Sequence, residues 1–328
     1  MKKTHGFIGL GNVGLKLATS LIENKFSLTI NDLEMRYAES LLKRGAVWAK
    51  NPEDVAKETD IIFTCLPSPA AVSKVVEGEK GLLKSLSRGK IWVDMSTTDN
   101  NETQRLAKLV EEKGAKAIEA PVSGGCHSAA TGNISIFVGG EREAFDDVLP
   151  SLSAMGKQIL HVGPLGTASV LKVVTNFLAS THLVAVGEAL MSCKKTCINL
   201  NTAFEGIRIS SGNSFVHETE SQVIMNGSYN INFTMDLVCK DVGLFKKIVD
   251  RHTIPTEIAP LLVNIFEDGR KRYGDRAWSS MIVKRIEDAC NTDLRAPGFP
   301  KEIVDHTPRN LGSEIKYFKR ICNSSFYN

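Results

Sequence analysis

A short apolar run, His5 to Ile8, opens directly into Gly9-Leu10-Gly11-Asn12-Val13-Gly14. The spacing predicts a strand, a tight turn and then a helix over 12–24. Glycines at three of the six positions let the chain turn sharply, let the backbone approach a pyrophosphate closely, and let the helix pack on the strand. The helix start adds free amides and the positive end of its dipole. Glycine-rich turns are common, but here a second apolar run, FSLTIND, ends in Asp32. A carboxylate at that place accepts hydrogen bonds from the ribose hydroxyls of NAD and repels the 2′-phosphate of NADP. Gly9, Gly11, Asn12, Val13, Gly14 and Asp32 are therefore expected to bind NAD in preference to NADP. Arg36, one turn further on, reads as a solvated arginine at a helix start.

From residue 1 to about 162, short apolar runs alternate with helix-patterned stretches. A helix is expected over 34–44, and DIIFTCLP and KIWVDMS are continuous enough in apolar residues to be strands buried on both faces. Strand, helix and strand at this spacing predict an α/β Rossmann-type doubly wound parallel sheet. Ligands of such sheets sit outside the carboxyl ends of the strands, so Leu66, Pro67, Ser96 and Thr97 are expected to flank the cofactor.

Further on, EAPVSGGCHSAATG places Ser123-Gly124-Gly125 after a short strand. A hydroxyl followed by two unencumbered amides is a good receptor for a carboxylate, although the same three residues also suit a plain turn. The stretch SVLKVVTNFLA then sets Lys172 and Asn176 into a helix otherwise patterned as buried. Four residues apart, they share one helix face. That face meets either water or chemistry.

Taken together, GFIGLGNVG, TCLP, DMSTTD, APVSGG, GPLGTASVLKVVTN and KDVGL stand in the order and spacing of the β-hydroxyacid dehydrogenases. The chain resembles that family from about residue 5 to about 288. 3-Hydroxyisobutyrate dehydrogenase is its familiar member, and tartronate semialdehyde reductase and the N-terminal part of 6-phosphogluconate dehydrogenase are related. The resemblance implies that Lys172 is the catalytic acid and base, that Asn176 holds substrate beside it, and that Ser123, Gly124 and Gly125 bind the substrate carboxylate. It places Thr97 and Lys240 near the nicotinamide and its ribose, and Phe233 as an aromatic lining the pocket. A lysine can accept the alcohol proton only when neutral, so burial must lower its pKa from about 10.4.

The resemblance also implies a long helix, roughly 167–195, leading from the nucleotide-binding domain (1–162) into an all-helical substrate and oligomerisation domain (163–292). A homodimer or homotetramer follows. The tail, 293–328, goes beyond the usual family end and reads as an extended arm wrapping a neighbouring subunit. Two departures fall near the pocket: Cys126-His127-Ser128 where relatives more often carry lysine and glycine, and Asn213 where many carry arginine. They put 3-hydroxyisobutyrate itself in doubt, and His127 reads as an exposed loop histidine without a role.

Composition narrows the alternatives. A net charge of +3 spread over 328 residues gives no reason to expect nucleic acid as partner. No apolar run reaches about 18 residues without charge, so no membrane span is expected. Seven cysteines without metal-ligand spacing suggest free thiols in a reducing, cytoplasmic setting and no metal site. The expected reaction is NAD-dependent oxidation of a small 3-hydroxy acid to its semialdehyde, or the reverse. The alternatives are a tartronate semialdehyde reductase or another family reductase using NADPH, including a cyclic-imine reductase, and a non-catalytic NAD(P)-binding regulator. Retention of Lys172 argues against the last two.

Overall fold

The computed structural model describes residues 3–316. Its first half is built from β1 (His5–Ile8), α1 (Gly14–Glu23), β2 (Leu28–Asn31), α2 (Glu39–Leu42), β3 (Val47–Trp48), α3 (Pro52–Glu58), β4 (Ile61–Thr64), α4 (Pro69–Glu77), β5 (Ile91–Asp94), α5 (Asn100–Glu112) and β6 (Lys116–Glu119). It continues through β7 (Val122–Ser123), α6 (Gly125–Thr131), β8 (Ile134–Gly139), α7 (Arg142–Met155) and β9 (Gly156–Gly163). The helix expected over 34–44 is broken into a 3₁₀ turn at Met35–Ala38 and the short α2.

The strands lie in the order β10-β9-β8-β6-β5-β4-β1-β2-β3, where β10 (Ser313–Glu314) comes from the tail. β1 lies between β2 and β4, which places the glycine turn at the switch point of the sheet. Alternate residues of each strand enter different cores. Phe7, Ile61 and Phe63 pack with Leu17 and Leu21 on one face, and Ile8, Ile62 and Trp92 with Val55 and Leu106 on the other. The sheet is parallel except where β8 meets β6 and β7. The connection 120–133 is taken up by β7 and the short α6, and β8 runs back antiparallel to β6.

The second half is helical: α8 (Thr167–Lys195), α9 (Leu200–Arg208), α10 (Phe215–Asn226), α11 (Met235–Arg251), α12 (Ile258–Tyr273) and α13 (Lys284–Ala289). Leu183, Leu190, Phe204, Val238, Phe266 and Ile282 form its core. α8 is long and apolar enough by length and composition to cross a bilayer, although Lys172 and Glu188 interrupt its apolar run. In this fold it packs in turn on β8, α9, α10, α11 and α12.

The described part of the tail, to residue 316, packs on its own chain and adds β10 parallel to β9. Residues 317–328 fall outside the described residues.

Candidate active site

At the nucleotide turn, Gly9 has φ +96°, and a β-carbon there would stand 2.3 Å from the carbonyl oxygen of Cys65. A β-carbon on Gly14 would stand 2.0 Å from the carbonyl oxygen of Gly9, so helix and turn meet backbone to backbone. Gly11 is different: a β-carbon would meet nothing within 4 Å, so packing does not demand glycine there. The space it leaves lies beside the start of α1 and fits a diphosphate held by amides. Asn12 and Val13 complete the turn, and Leu15 donates its amide to the carbonyl of Gly11. Asp32 accepts the amide of Leu10 at 2.6 Å and that of Glu34 at 3.0 Å, which fixes its carboxylate at the end of β2. Each oxygen keeps a lone pair for a hydroxyl. Arg36 is exposed and already engaged, in an ion pair with Glu34 at 2.6 Å and over the Tyr37 ring.

The ends of β4 and β5 are tied together beneath the cleft. Leu66, followed by Pro67, donates its amide to Ser96 Oγ at 2.9 Å, and Ser96 donates that hydroxyl to Asp94 at 2.6 Å. Thr64 gives Asp94 a further hydroxyl at 2.8 Å. Burial pushes the Asp94 carboxyl up from its usual range, and these donors oppose the shift.

Next along, Lys240 of α11 reaches the carbonyl of Thr97 at 2.7 Å and stands 2.9 Å from Asp241 Oδ1. The second contact is a charge pairing rather than an aligned hydrogen bond. Asp241, 2% exposed, accepts the Asn176 amide at Oδ2 at 2.5 Å. A carboxylate only accepts, so the amide nitrogen faces Asp241 and the amide oxygen must face the other way. That oxygen receives Lys172 Nζ at 2.7 Å. Thr97, Lys240, Asp241, Asn176 and Lys172 thus form one polar chain across the two halves of the molecule. Lys172 is 7% exposed. Burial pulls its ammonium down to about 8, with Asp241 opposing the shift and Lys240 adding to it.

Ser123 ends β7, and Gly124 (φ +127°) and Gly125 (φ +81°) turn into α6. The stretch expected as an open loop is therefore a strand end and a two-turn helix. Cys126 directs its thiol to the carbonyl of Asn232 at 3.7 Å, which brings residue 232 and the following Phe233 against the glycine turn. Phe233 is half-buried on the helical core and accepts the amide of Ser279. His127 corrects the sequence reading: it is half-buried on α6 and stacked on Phe215 with ring centroids 6.0 Å apart, and burial lowers its pKa. Asn213 bonds Glu218 at 2.6 Å.

Two carboxylates carry more than the sequence suggested. Asp241 reads equally well as a member of a solvated helix pair. Glu119 lies just outside the APVSGG motif. It is 1% exposed and accepts the amides of Gly166 at 2.7 Å, Ala168 at 2.8 Å and Ser169 at 3.1 Å, together with the Ser169 hydroxyl. It caps α8 from a strand 47 residues away, a partner that no local capping pattern reveals. The sequence signal is an acidic residue at the end of a short strand, two residues before Pro121.

The fold and the nucleotide turn define an NAD(P)-dependent oxidoreductase. Residues 4–163 match the model for the NAD-binding domain of 6-phosphogluconate dehydrogenase, and residues 166–286 the model for the NAD-binding domain of NADP-dependent 3-hydroxyisobutyrate dehydrogenase. The chain is 35% identical to 2-(hydroxymethyl)glutarate dehydrogenase of Eubacterium barkeri, over 88% of this chain and 96% of that one. It is 30% identical to mitochondrial 3-hydroxyisobutyrate dehydrogenase of Mus musculus, over 84% and 85%. A Mycobacterium tuberculosis 3-hydroxyisobutyrate dehydrogenase solved with L-serine has the same fold, with a TM-score of 0.78 at 23% identity, covering 87% of this chain and 99% of that one. The chain belongs to the β-hydroxyacid dehydrogenase family.

Proposed function

We propose that this protein oxidises a small 3-hydroxy acid to its semialdehyde with NAD, and catalyses the reverse reduction. The observation that carries this reading is Lys172: a buried lysine whose pKa burial lowers to about 8, fixed by Asn176, and linked through Asp241 and Lys240 to Thr97. In the oxidative direction neutral Lys172 takes the proton of the substrate hydroxyl at Nζ; in reduction its ammonium returns one. Asn176 orients Nζ and contacts the same hydroxyl. Ser123 Oγ and the amides of Gly124 and Gly125 receive the carboxylate, and Phe233 closes the apolar side of the pocket. Gly9, Gly11, Asn12, Val13, Gly14, Asp32, Leu66, Pro67, Thr97 and Lys240 would hold the dinucleotide, which supplies the acceptor for the hydride of the carbinol carbon. Asp32 supports NAD over NADP.

Within this reading the substrate is a 3-hydroxy monocarboxylate such as 3-hydroxyisobutyrate or a larger hydroxymethyl diacid. The second has the support of the 35% identical relative's named substrate. A reductase of the tartronate semialdehyde type using NADPH is the alternative, favoured by the NADP-dependent family whose model matches residues 166–286. A homodimer or homotetramer is part of the proposal, supported by the exposed Leu178, Ile258 and Leu261 on α8 and α12. So is a cytoplasmic setting, supported by six free cysteines among the described residues.

The test is initial-rate turnover of 3-hydroxyisobutyrate, L-serine, glycerate, 2-(hydroxymethyl)glutarate and 4-hydroxybutyrate, each with NAD and with NADP, followed by absorbance of the reduced cofactor. Turnover of one acid with NAD supports the reading. Silence across the panel with NAD still binding would overturn it in favour of a cofactor-binding regulator.

A further inference from the structure

The family matches end at residue 286, yet the chain continues along a defined course. It leaves the helical half by way of Leu294, fully buried with its amide on Glu287, and Arg295, which bonds Glu287 and the carbonyl of Ile224. Phe299 packs edge-on against Phe204, and its carbonyl accepts the Asn226 amide at 2.8 Å. Ser228 then bonds the carbonyl of Lys301 at 2.7 Å, and Asn230 bonds Glu302 at 3.1 Å. Three residues later the chain is anchored on the other half of the molecule. Asp305 Oδ2 accepts the Thr131 hydroxyl at 2.8 Å and the Asn133 amide at 3.0 Å, while Thr307 gives its carbonyl to the same Asn133 at 2.9 Å. Beyond this, Arg309 pairs with Glu23, Gly312 bonds the carbonyl of Ser153, and Glu314 takes both terminal nitrogens of Arg142 at 2.6 and 2.9 Å.

Residues 302 and 305 are separated by three peptide units, which span at most roughly 10 Å. Anchors on both sides of so short a crossing hold the two halves together at that edge. The Rossmann-side anchor is specific in its position: Thr131 is the last residue of α6, and Gly125, the last residue of the glycine turn, is the first. A helix of seven residues is only about 10 Å long, so holding one end holds the other. The donors around the Asp305 carboxylate, led by the Thr307 amide, overcome its burial and keep it ionised, down to about 2, so its bonds to α6 are charge-assisted.

We propose that residues 294–316 form an interdomain strap, and that Asp305, acting through Thr131 and Asn133, is a positioning residue for the Ser123-Gly124-Gly125 turn. The inference deepens the proposed function and rests on the carboxylate-binding role given there to that turn.

The experiment compares the full-length protein with Asp305→Ala and Asp305→Asn by amide hydrogen exchange without substrate, then by steady-state kinetics with whichever acid of the panel turns over. In Asp305→Ala, exchange over 124–133 should quicken, and KM for the acid should rise about tenfold with kcat and the KM for NAD little changed, as the loss of charge-assisted bonds implies. Asp305→Asn, which keeps an acceptor, should recover part of both effects. Unchanged exchange over 124–133 would overturn Asp305 as the strap's hold on α6. Faster exchange with an unchanged KM would overturn the positioning role. If no acid turns over, the functional reading fails, while the exchange result still decides whether Asp305 holds α6.

Discussion

Glu119 closes on Ser169: the last residue of β6 accepts both the amide and the hydroxyl of a residue in the first turn of α8. Lys172 lies three residues further on. Truncation by Glu119→Ala would leave three buried amides without an acceptor, at a cost of roughly 3 kcal/mol or more. Chemical denaturation should show that loss, with a fall in kcat because the turn that registers Lys172 is freed. A full-stability variant would show that the cap holds nothing.

Lys172→Ala should lower turnover by about 10²–10⁴-fold, the usual worth of a positioned acid and base. Titration of the variant with NAD should give nearly the wild-type affinity, because the glycine turn and Asp32 are on other elements. Retained turnover would remove Lys172 from the mechanism.

The pH profile should carry the mark of the same lysine. With Nζ titrating at about 8, kcat/KM for oxidation should climb to a plateau above that pH, and the rate of reduction should fall over the same range. Asp241 favours the charged lysine and Lys240 disfavours it. Asp241→Asn should therefore move the midpoint towards acid and Lys240→Gln towards alkali. Rate profiles of the two variants shifting in the same direction would contradict this.

Asp32→Ala should raise the NADP to NAD ratio of kcat/KM by about tenfold, since it removes both the ribose acceptor and the repulsion of a 2′-phosphate. A wild-type enzyme already faster with NADP would show the cofactor preference to be wrong. Because Asp32 also holds the amides of Leu10 and Glu34, some loss of stability should accompany the change.

Much of this architecture was legible because its causes are local in sequence. Gly9 is required by its own positive φ and Gly14 by a backbone contact to Gly9 within the same turn, and Lys172 and Asn176 share a face through helical periodicity alone. What stayed hidden depends on contacts between distant residues. The Glu119 cap joins residues about 50 positions apart, and Asp241 acquires its place only when α11 docks on α8. His127 read as a loop residue because SGGCHSAAT lacks an apolar period. It folds as a helix because Ala129 and Cys126 bury against the sheet and the helical half. The antiparallel return of β8 stayed hidden because its strand reads as one more member of the alternating pattern.

One consequence of β10 concerns solubility. Without it the sheet would end at β9, eight residues of strand with a row of unpaired backbone donors and acceptors facing out. Such a margin invites the strand of another molecule, and parallel strands rich in apolar residues associate readily once one edge is bare. Ser313 and Glu314, with Ile315 donating to the carbonyl of Ile159, pair with that margin at Gln158 and Ile159 and bring to it a carboxylate clasped by Arg142. A chain trimmed after Glu302 to resemble a shorter relative would carry an unguarded edge, and its failure in solution would be clumping before any failure in catalysis.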